Sequence, residues 1–169
     1  DHRDLHSFPT RRSSALDPAT RTALHRVVDE AEIWLLDLAS GERRRLDDGR
    51  HAFCFDPAIS PDERIVSWQA WSPPYMAWDA AVRVDHDLAT GATTEWRAPD
   101  AAFQQPRFTP NGEALHVHDA SGWLNVHIGD RPVVSEPLDH AGPTWGMGNR
   151  SYAIDDGGER VAFVRNEAG

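Results

Sequence analysis

Two short sequence patterns recur about fifty residues apart, and this spacing constrains the fold more than any other feature of the chain. Asp37-Leu38-Ala39-Ser40-Gly41 returns as Asp87-Leu88-Ala89-Thr90-Gly91. Ser60-Pro61-Asp62-Glu63 returns as Thr109-Pro110-Asn111-Gly112, and Asp155-Asp156-Gly157-Gly158 is a weaker third copy. Proline presets φ in a turn, and glycine after an Asx residue supplies a positive φ. Both patterns therefore predict tight turns at regular intervals.

Short runs with strand character border these turns. They include 32–38, 64–68, 82–88, 114–118 and 160–164. Short strands at regular spacing, with glycine-containing turns and little helical pattern, predict an all-β fold. A repeat of 40 to 50 residues that holds about four strands is typical of a β-propeller blade. We therefore predict that residues 31–169 form an open, partial β-propeller of about three four-stranded blades. A sandwich is the second choice, because it needs no turn at a fixed interval.

The first thirty residues lie outside this repeat. Residues 1–14 show neither helical nor strand periodicity, and 4–14 resemble a translated sequencing adapter, so we interpret 1–14 as non-native or disordered. Residues 15–30 are predicted to be a linker or the end of a preceding blade. Within them, 18–30 has a weak helical pattern, and Arg26-Val27-Val28 could equally form a strand.

The charge of the chain limits its partners. It has 169 residues and a formal net charge of −10. This acidity argues against nucleic acid or an anionic membrane surface as the main partner. No apolar run approaches the roughly 18 residues of a spanning helix, and a lone cysteine, Cys54, cannot form an internal disulfide. The default expectation is a cytoplasmic protein without a cofactor.

Three segments, taken in order, resemble a known family. The first runs from Pro57 to Asp62 and on through a Trp-rich stretch that ends at Trp78-Asp79. The second joins a Gln-Pro and Thr-Pro-Asn-Gly series at 103–112 to Gly122-Trp123-Leu124-Asn125. The third is the tryptophan-containing segment at 142–154. Together they resemble the propeller domain of the prolyl oligopeptidase family of serine peptidases, in its dipeptidyl-peptidase and acylaminoacyl-peptidase-like branch. Two departures are Ala80, where the family tends to have glycine, and the loop 72–75, where a His-Pro-Asn type loop is expected.

The resemblance implies that catalysis and the selection of substrate belong to separate domains. In this family a separate α/β-hydrolase domain cleaves short peptides with a Ser-Asp-His triad, its serine on a Gly-x-Ser-x-Gly turn. No serine of this chain has glycine at both −2 and +2. We therefore expect no catalytic residue here, a parent enzyme that is a serine peptidase, and a hydrolase domain as partner. The propeller would restrict access to short peptides, with Tyr75, Trp78 and Asp79 as the substrate-gating loop. Trp68 and Trp123 are interpreted as packing between blades.

Other candidate sites have simpler explanations. His116, His118 and His127 could bind zinc, but a polar strand face accounts for them better. The Asp-rich segments at 47–49 and 155–158 lack the ligand pattern of an EF-hand, and are predicted to be turns. The run Arg43-Arg44-Arg45 is interpreted as a solvated edge. The sequence thus predicts no metal site.

Two alternatives from other classes stay open. A freestanding propeller that serves as a binding or scaffold module would share the recurring turns, but has no reason to carry the Trp-Asp loop at 71–79. A propeller glycosidase or lyase would need paired carboxylates outside turns, and none is found. Because an open propeller leaves strand edges unpaired, we also expect poor solubility or edge-to-edge association of the isolated chain.

Overall fold

The computed structural model describes residues 31–144 and 146–167. The predictions for residues 1–14 and 15–30 fall outside the described residues. Within them the chain is almost entirely antiparallel β-structure, arranged as four sheets in sequence order. The predicted open, partial β-propeller is confirmed.

Two complete four-stranded blades form the middle of the described part. Blade 2 has the order β3-β4-β5-β6, and blade 3 the order β7-β8-β9-β10. The strands of blade 2 are β3 (Phe53–Ile59), β4 (Ile65–Trp71), β5 (Val82–Asp87) and β6 (Thr93–Trp96). Those of blade 3 are β7 (Phe103–Phe108), β8 (Ala114–His118), β9 (Asn125–Ile128) and β10 (Arg131–Pro132). A four-residue helix, α1 (Ala77–Ala80), lies in the connection from β4 to β5.

A two-stranded hairpin flanks this pair of blades on each side. Hairpin 1 consists of β1 (Trp34–Leu36) and β2 (Arg43–Arg45), and hairpin 4 of β11 (Tyr152–Ile154) and β12 (Val161–Phe163). The predicted three blades are therefore distributed as two whole blades and two halves. The arginines of β2 are all exposed, as a solvated edge requires.

The predicted turns connect the strands within each blade. The first strand of a blade is joined to the second by one kind of turn, found at Ser60–Glu63, Thr109–Gly112 and Asp155–Gly158. In each, the fourth residue donates its N–H to the carbonyl of the first at 2.8–3.0 Å and adopts a positive φ. Asp37–Gly41 and Asp87–Gly91 join the third strand to the fourth. There the aspartate carboxylate accepts the N–H groups of the second and third residues after it, at 2.6–3.0 Å.

The core lies between neighbouring sheets. Ile33 and Leu46, which directly border the strands of hairpin 1, pack against Trp68 and Val84 of blade 2. Leu115, Val117 and Val126 of blade 3 pack against Tyr152 of hairpin 4. Trp68 is buried between sheets as predicted, whereas the prediction for Trp123 is wrong. Its indole is 41% exposed, because it lies in the connection from β8 to β9 and not on a strand.

Candidate functional site

The loop between β4 and β5 carries the three predicted site residues. It is anchored by an aromatic cluster at the edge of blade 2, where Trp71 stacks on Phe53 with ring centroids 5.2 Å apart and meets Phe55 edge-on at 4.7 Å. Ala77, Ala81 and Ala102 fill the space beside Trp71, and Trp78 packs against this cluster. The small alanines let the loop lie close to the start of β7, where the Phe103 N–H donates to the Ala81 carbonyl.

The three predicted residues have different surroundings. Trp78 is half-buried against the aromatic cluster. Asp79 is exposed, and its carboxylate accepts the N–H of Met76 at 2.8 Å, which fixes the first turn of α1. Tyr75 is 56% exposed. The structure thus places them on one short loop, with Trp78 packed against the aromatic cluster, Asp79 capping α1 and Tyr75 exposed.

Further apolar side chains are exposed on the same edge of the propeller. In an antiparallel meander, the connections from second to third strand and from one blade to the next all lie at one edge. This edge presents exposed large apolar side chains in three of its connections: Tyr75, Met76, Trp123 and Met147. We call these four residues the apolar rim. Leu38 and Ile59 are exposed at the opposite edge, so exposure alone does not make this edge an interaction surface.

A buried polar cluster lies on the innermost strands. β3 and β7 each contain a bulge, at Asp56 and Gln105, and both residues have a positive φ and precede a proline. The Asp56 carboxylate accepts the N–H of Gly148 at 2.5 Å, and the Gln105 side chain exchanges two hydrogen bonds with Ser151 at 2.7 and 3.0 Å. The bulges therefore hold the connection from β10 to β11 against the first strands of both blades.

Sequence reasoning missed this cluster. Its only signal is the pair Asp56-Pro57 and Gln105-Pro106, which are 49 positions apart like the turns that follow them. Within the described residues, three of its neighbouring polar atoms are buried without a hydrogen-bond partner: Asp56 Oδ2, Gln69 Oε1 and Gln104 Nε2. Buried groups of this kind are costly unless a partner arrives, so they mark where water or a ligand's polar group would be stabilised.

The three histidines of blade 3 form a stack. The rings of His118 and His127 are 3.7 Å apart and within 21° of parallel, and those of His116 and His127 are 6.0 Å apart and within 11°. The nitrogen lone pairs lie in the ring planes, so stacked rings cannot direct them at one ion. Moreover, the Arg83 guanidinium donates to His116 Nδ1 at 3.0 Å. Among the described residues no group of His, Cys, Asp and Glu could hold a metal ion.

Burial keeps these imidazoles neutral. Desolvation, reinforced by Arg83, lowers the pKa of His116 to about 2. Desolvation and the neighbouring His127 lower the pKa of His118 to about 4, and desolvation also lowers the pKa of His127. Burial raises the pKa of the Cys54 thiol to about 12, so this cysteine is a poor nucleophile. Neither the histidines nor Cys54 form a reactive centre.

Comparison with known proteins supports a link to peptidases. No protein-family model matches the chain, and no curated protein matches it. Among solved structures, a puromycin hydrolase is 28% identical over 72% of this chain with a TM-score of 0.64. A puromycin-hydrolyzing peptidase of Mycobacterium tuberculosis is 25% identical over 76% of this chain with a TM-score of 0.67. The aligned part covers 20% and 21% of those two chains, so this chain spans about a fifth of their length.

A further solved structure is similar in fold. TolB from Acinetobacter baumannii is 19% identical over 82% of this chain and 33% of its own, with a TM-score of 0.50. At that identity the likeness concerns the fold alone. In the part of this chain that the structure describes, no helix is long and apolar enough to cross a membrane.

Proposed function

We propose that this chain is a portion of the propeller of a serine peptidase of the prolyl oligopeptidase family, and that it restricts which peptides reach a catalytic domain. The observation that carries the proposal is the 28% identity to puromycin hydrolase over 72% of the chain at a TM-score of 0.64. The Trp-Asp loop at 71–79 supports it independently, because a propeller used only as a scaffold does not need this loop.

The chemical step belongs to a hydrolase domain in this proposal. A serine on a Gly-x-Ser-x-Gly turn would attack the peptide carbonyl, and backbone N–H groups would stabilise the oxyanion. This chain supplies selection. Tyr75 would contact the incoming peptide with its exposed ring, while Trp78 and Asp79 hold the loop in place through packing and the bond to the Met76 N–H. The dipeptidyl-peptidase and acylaminoacyl-peptidase-like branch, and a cytoplasmic location, are parts of the same proposal.

The first experiment is to sequence the genomic locus across both ends of this chain from intact DNA. If the chain is part of a serine peptidase, the reading frame should continue into a Gly-x-Ser-x-Gly segment followed by an aspartate and a histidine. A frame that adds further blades and then stops, with no hydrolase domain, would instead identify a freestanding binding propeller and overturn the peptidase assignment.

Peptidase assays on the full protein then test the gating role. Tyr75→Ala should raise kcat/KM for a longer peptide severalfold relative to a dipeptide substrate, because the ring that restricts entry is gone. Tyr75→Phe is the matched control, since it keeps the ring and should leave the ratio unchanged. Equal effects of Tyr75→Ala on both substrates would contradict gating by this loop without affecting the peptidase assignment.

A further inference from the structure

We propose that the strap, our name for residues 146–150, is a second element that selects peptides. It lies in the connection from β10 to β11. Met147 is the residue of the strap that contacts the peptide, and Asp56 is the positioning residue that holds the strap in place. The inference rests on the proposed function and adds a substrate class to it, peptides with an apolar side chain.

Both ends of the strap are fixed to the same strand of blade 3. Before the strap, the hydroxyl of Thr144 donates to Gln104 Oε1 at 2.8 Å. After it, Ser151 exchanges hydrogen bonds of 2.7 and 3.0 Å with Gln105, the next residue along β7. Both glutamines are buried. The strap therefore leaves β7 and returns to it one residue further on, so that its two ends are held side by side.

The tip of the strap reaches blade 2. There the Asp56 carboxylate accepts the N–H of Gly148 at 2.5 Å. Asp56 lies in the bulge of β3 and is 4% exposed. Within the strap, the Asn149 side chain donates to the Gly146 carbonyl at 3.2 Å, which closes a short turn around Met147. These contacts join blade 2, blade 3 and the connection between β10 and β11, and none of them involves a terminal hairpin edge.

Strand β3 brings the strap and the loop of Tyr75 to the same part of the propeller. The N–H of Ala52, directly before β3, donates to the Ser72 hydroxyl at 3.1 Å, at the start of the loop that carries Tyr75. Asp56 lies four residues further on, roughly 13 Å along an extended strand. As the first strand of its blade, β3 borders the central opening. A peptide that passes Tyr75 is therefore within reach of the strap.

The chemistry of Met147 suits an apolar side chain of the peptide. A Cβ added at Gly146 or Gly148 would meet no atom within 4 Å, so the strap is uncrowded on both sides of Met147. Methionine is unbranched and polarisable, and it adapts to apolar groups of different shapes. The tip of the strap thus offers the peptide an adaptable apolar group and not a charge.

Asp56 determines where this group lies. A carboxylate is a strong acceptor for a backbone N–H. Among the described residues the second oxygen, Asp56 Oδ2, is buried without a hydrogen-bond partner, so losing the bond to Gly148 would leave both oxygens unpaired. The strap is therefore held in one position, and Met147 with it. Asp56 does not touch the peptide in this arrangement but sets where Met147 meets it.

Peptidase assays on the full protein test the role of Met147. The substrates are short peptides that differ only in whether one residue is leucine or serine, at each position in turn. Met147→Ala should lower kcat/KM for the leucine peptide severalfold relative to its serine counterpart at one position, because the apolar contact is lost. Met147→Leu is the matched control, since it keeps an apolar side chain of similar size and should keep the ratio.

Two failures of this assay are distinguishable. An active enzyme in which Met147→Ala leaves the leucine-to-serine ratio unchanged at every position would overturn the role of the strap and leave the proposed function intact. A full protein without peptidase activity would overturn the proposed function, and the role of the strap with it.

Variants of Asp56 test whether it acts through the strap. Asp56→Ala should lower the leucine-to-serine ratio as Met147→Ala does, whereas Asp56→Asn keeps a side-chain oxygen for the Gly148 N–H and should preserve it. Hydrogen exchange on the same protein separates positioning from folding. Amides of the strap should exchange faster in Asp56→Ala only, while those of β4 and β8 stay protected. Unchanged exchange of the strap, or an equal loss of the ratio in both variants, would overturn the positioning role. If Asp56→Ala does not fold, the Met147 variants decide the proposal.

Discussion

At the scale of single residues, backbone conformation explains why glycine recurs in the turns. Gly112 and Gly158 end two copies of the first turn with φ of 85° and 71°, a region that L-residues avoid. Glu63 occupies the same position in the remaining copy, Ser60–Glu63, with φ of 58°. Its side chain is exposed, and none of the described hydrogen bonds or ion pairs involves that side chain. This turn therefore holds a glutamate where the other two copies have glycine.

Replacing Glu63 by glycine should stabilise the protein. The left-handed conformation costs an L-residue roughly 1–2 kcal/mol, and the greater freedom of unfolded glycine offsets part of this, so we expect a net gain of about 0.5–1 kcal/mol. Urea denaturation followed by tryptophan fluorescence measures the difference. The reverse change, Gly112→Glu, should destabilise by about the same amount, because a Cβ there meets no atom within 4 Å and only the backbone conformation changes. A loss of stability in Glu63→Gly would show that the glutamate side chain itself stabilises the turn.

At the scale of elements, the strands and turns were predictable because their chemistry is local. Asp37 and Asp87 bind the N–H groups of their own turns, and proline and glycine fix φ whatever lies nearby. The bulges at Asp56 and Gln105 were not predictable. Their side chains bind Gly148 and Ser151, which are 92 and 46 positions away. The prediction for Trp123 was wrong for a related reason, since nothing in the local sequence distinguishes an indole at a blade interface from one on a loop.

The histidine stack makes β8 and β9 sensitive to acid. A histidine whose folded pKa is lowered stays neutral in the native state while the unfolded chain binds a proton near pH 6.5, so stability is full above that pH and falls as the pH drops. For His118 the loss runs from about pH 6.5 to its folded pKa of about 4. His116 and His127 act in the same direction, as does His86, whose pKa is also lowered by burial.

The expected result is a lower free energy of unfolding at pH 5 than at pH 7, measured by urea denaturation at both values. His118→Asn should reduce this difference, because one proton fewer binds on unfolding. Carboxylates do not explain the change, since those with lowered pKa titrate further down; Asp87 beside Arg64 has a pKa of about 2. An unchanged pH dependence in His118→Asn would mean that this imidazole has the same pKa in the folded and the unfolded state.

At the scale of the whole molecule, the period of fifty residues predicted the architecture but not how the blades are divided. The repeat gives the spacing of turns, and any starting point within a blade fits it equally well. Only the pairing of strands shows that the described part begins with the outer half of one blade and ends with the inner half of another. The exposed Trp34 and Leu36 follow from that division and not from any unusual local pattern.

Hydrogen exchange should reveal the same division. Amides of β4 and β8, which have strand neighbours on both sides, should exchange slowest, and those of β1 and β12 should exchange fast in dilute protein. Equally slow exchange in β1, β12 and the inner strands β4 and β8 would contradict this division of the blades.

The hydrogen bond from Gly148 to Asp56 links parts of the propeller that are not neighbours. Asp56 belongs to the first strand of blade 2, and Gly148 to the segment that leads into hairpin 4, so the bond passes over blade 3. Such a hydrogen bond limits how far these two parts can move apart. Spreading the blades apart would have to break it and leave a carboxylate buried without a partner, which is costly. This hydrogen bond thus restrains the arc of blades from its inner side. Widening the central opening requires breaking the bond between Gly148 and Asp56.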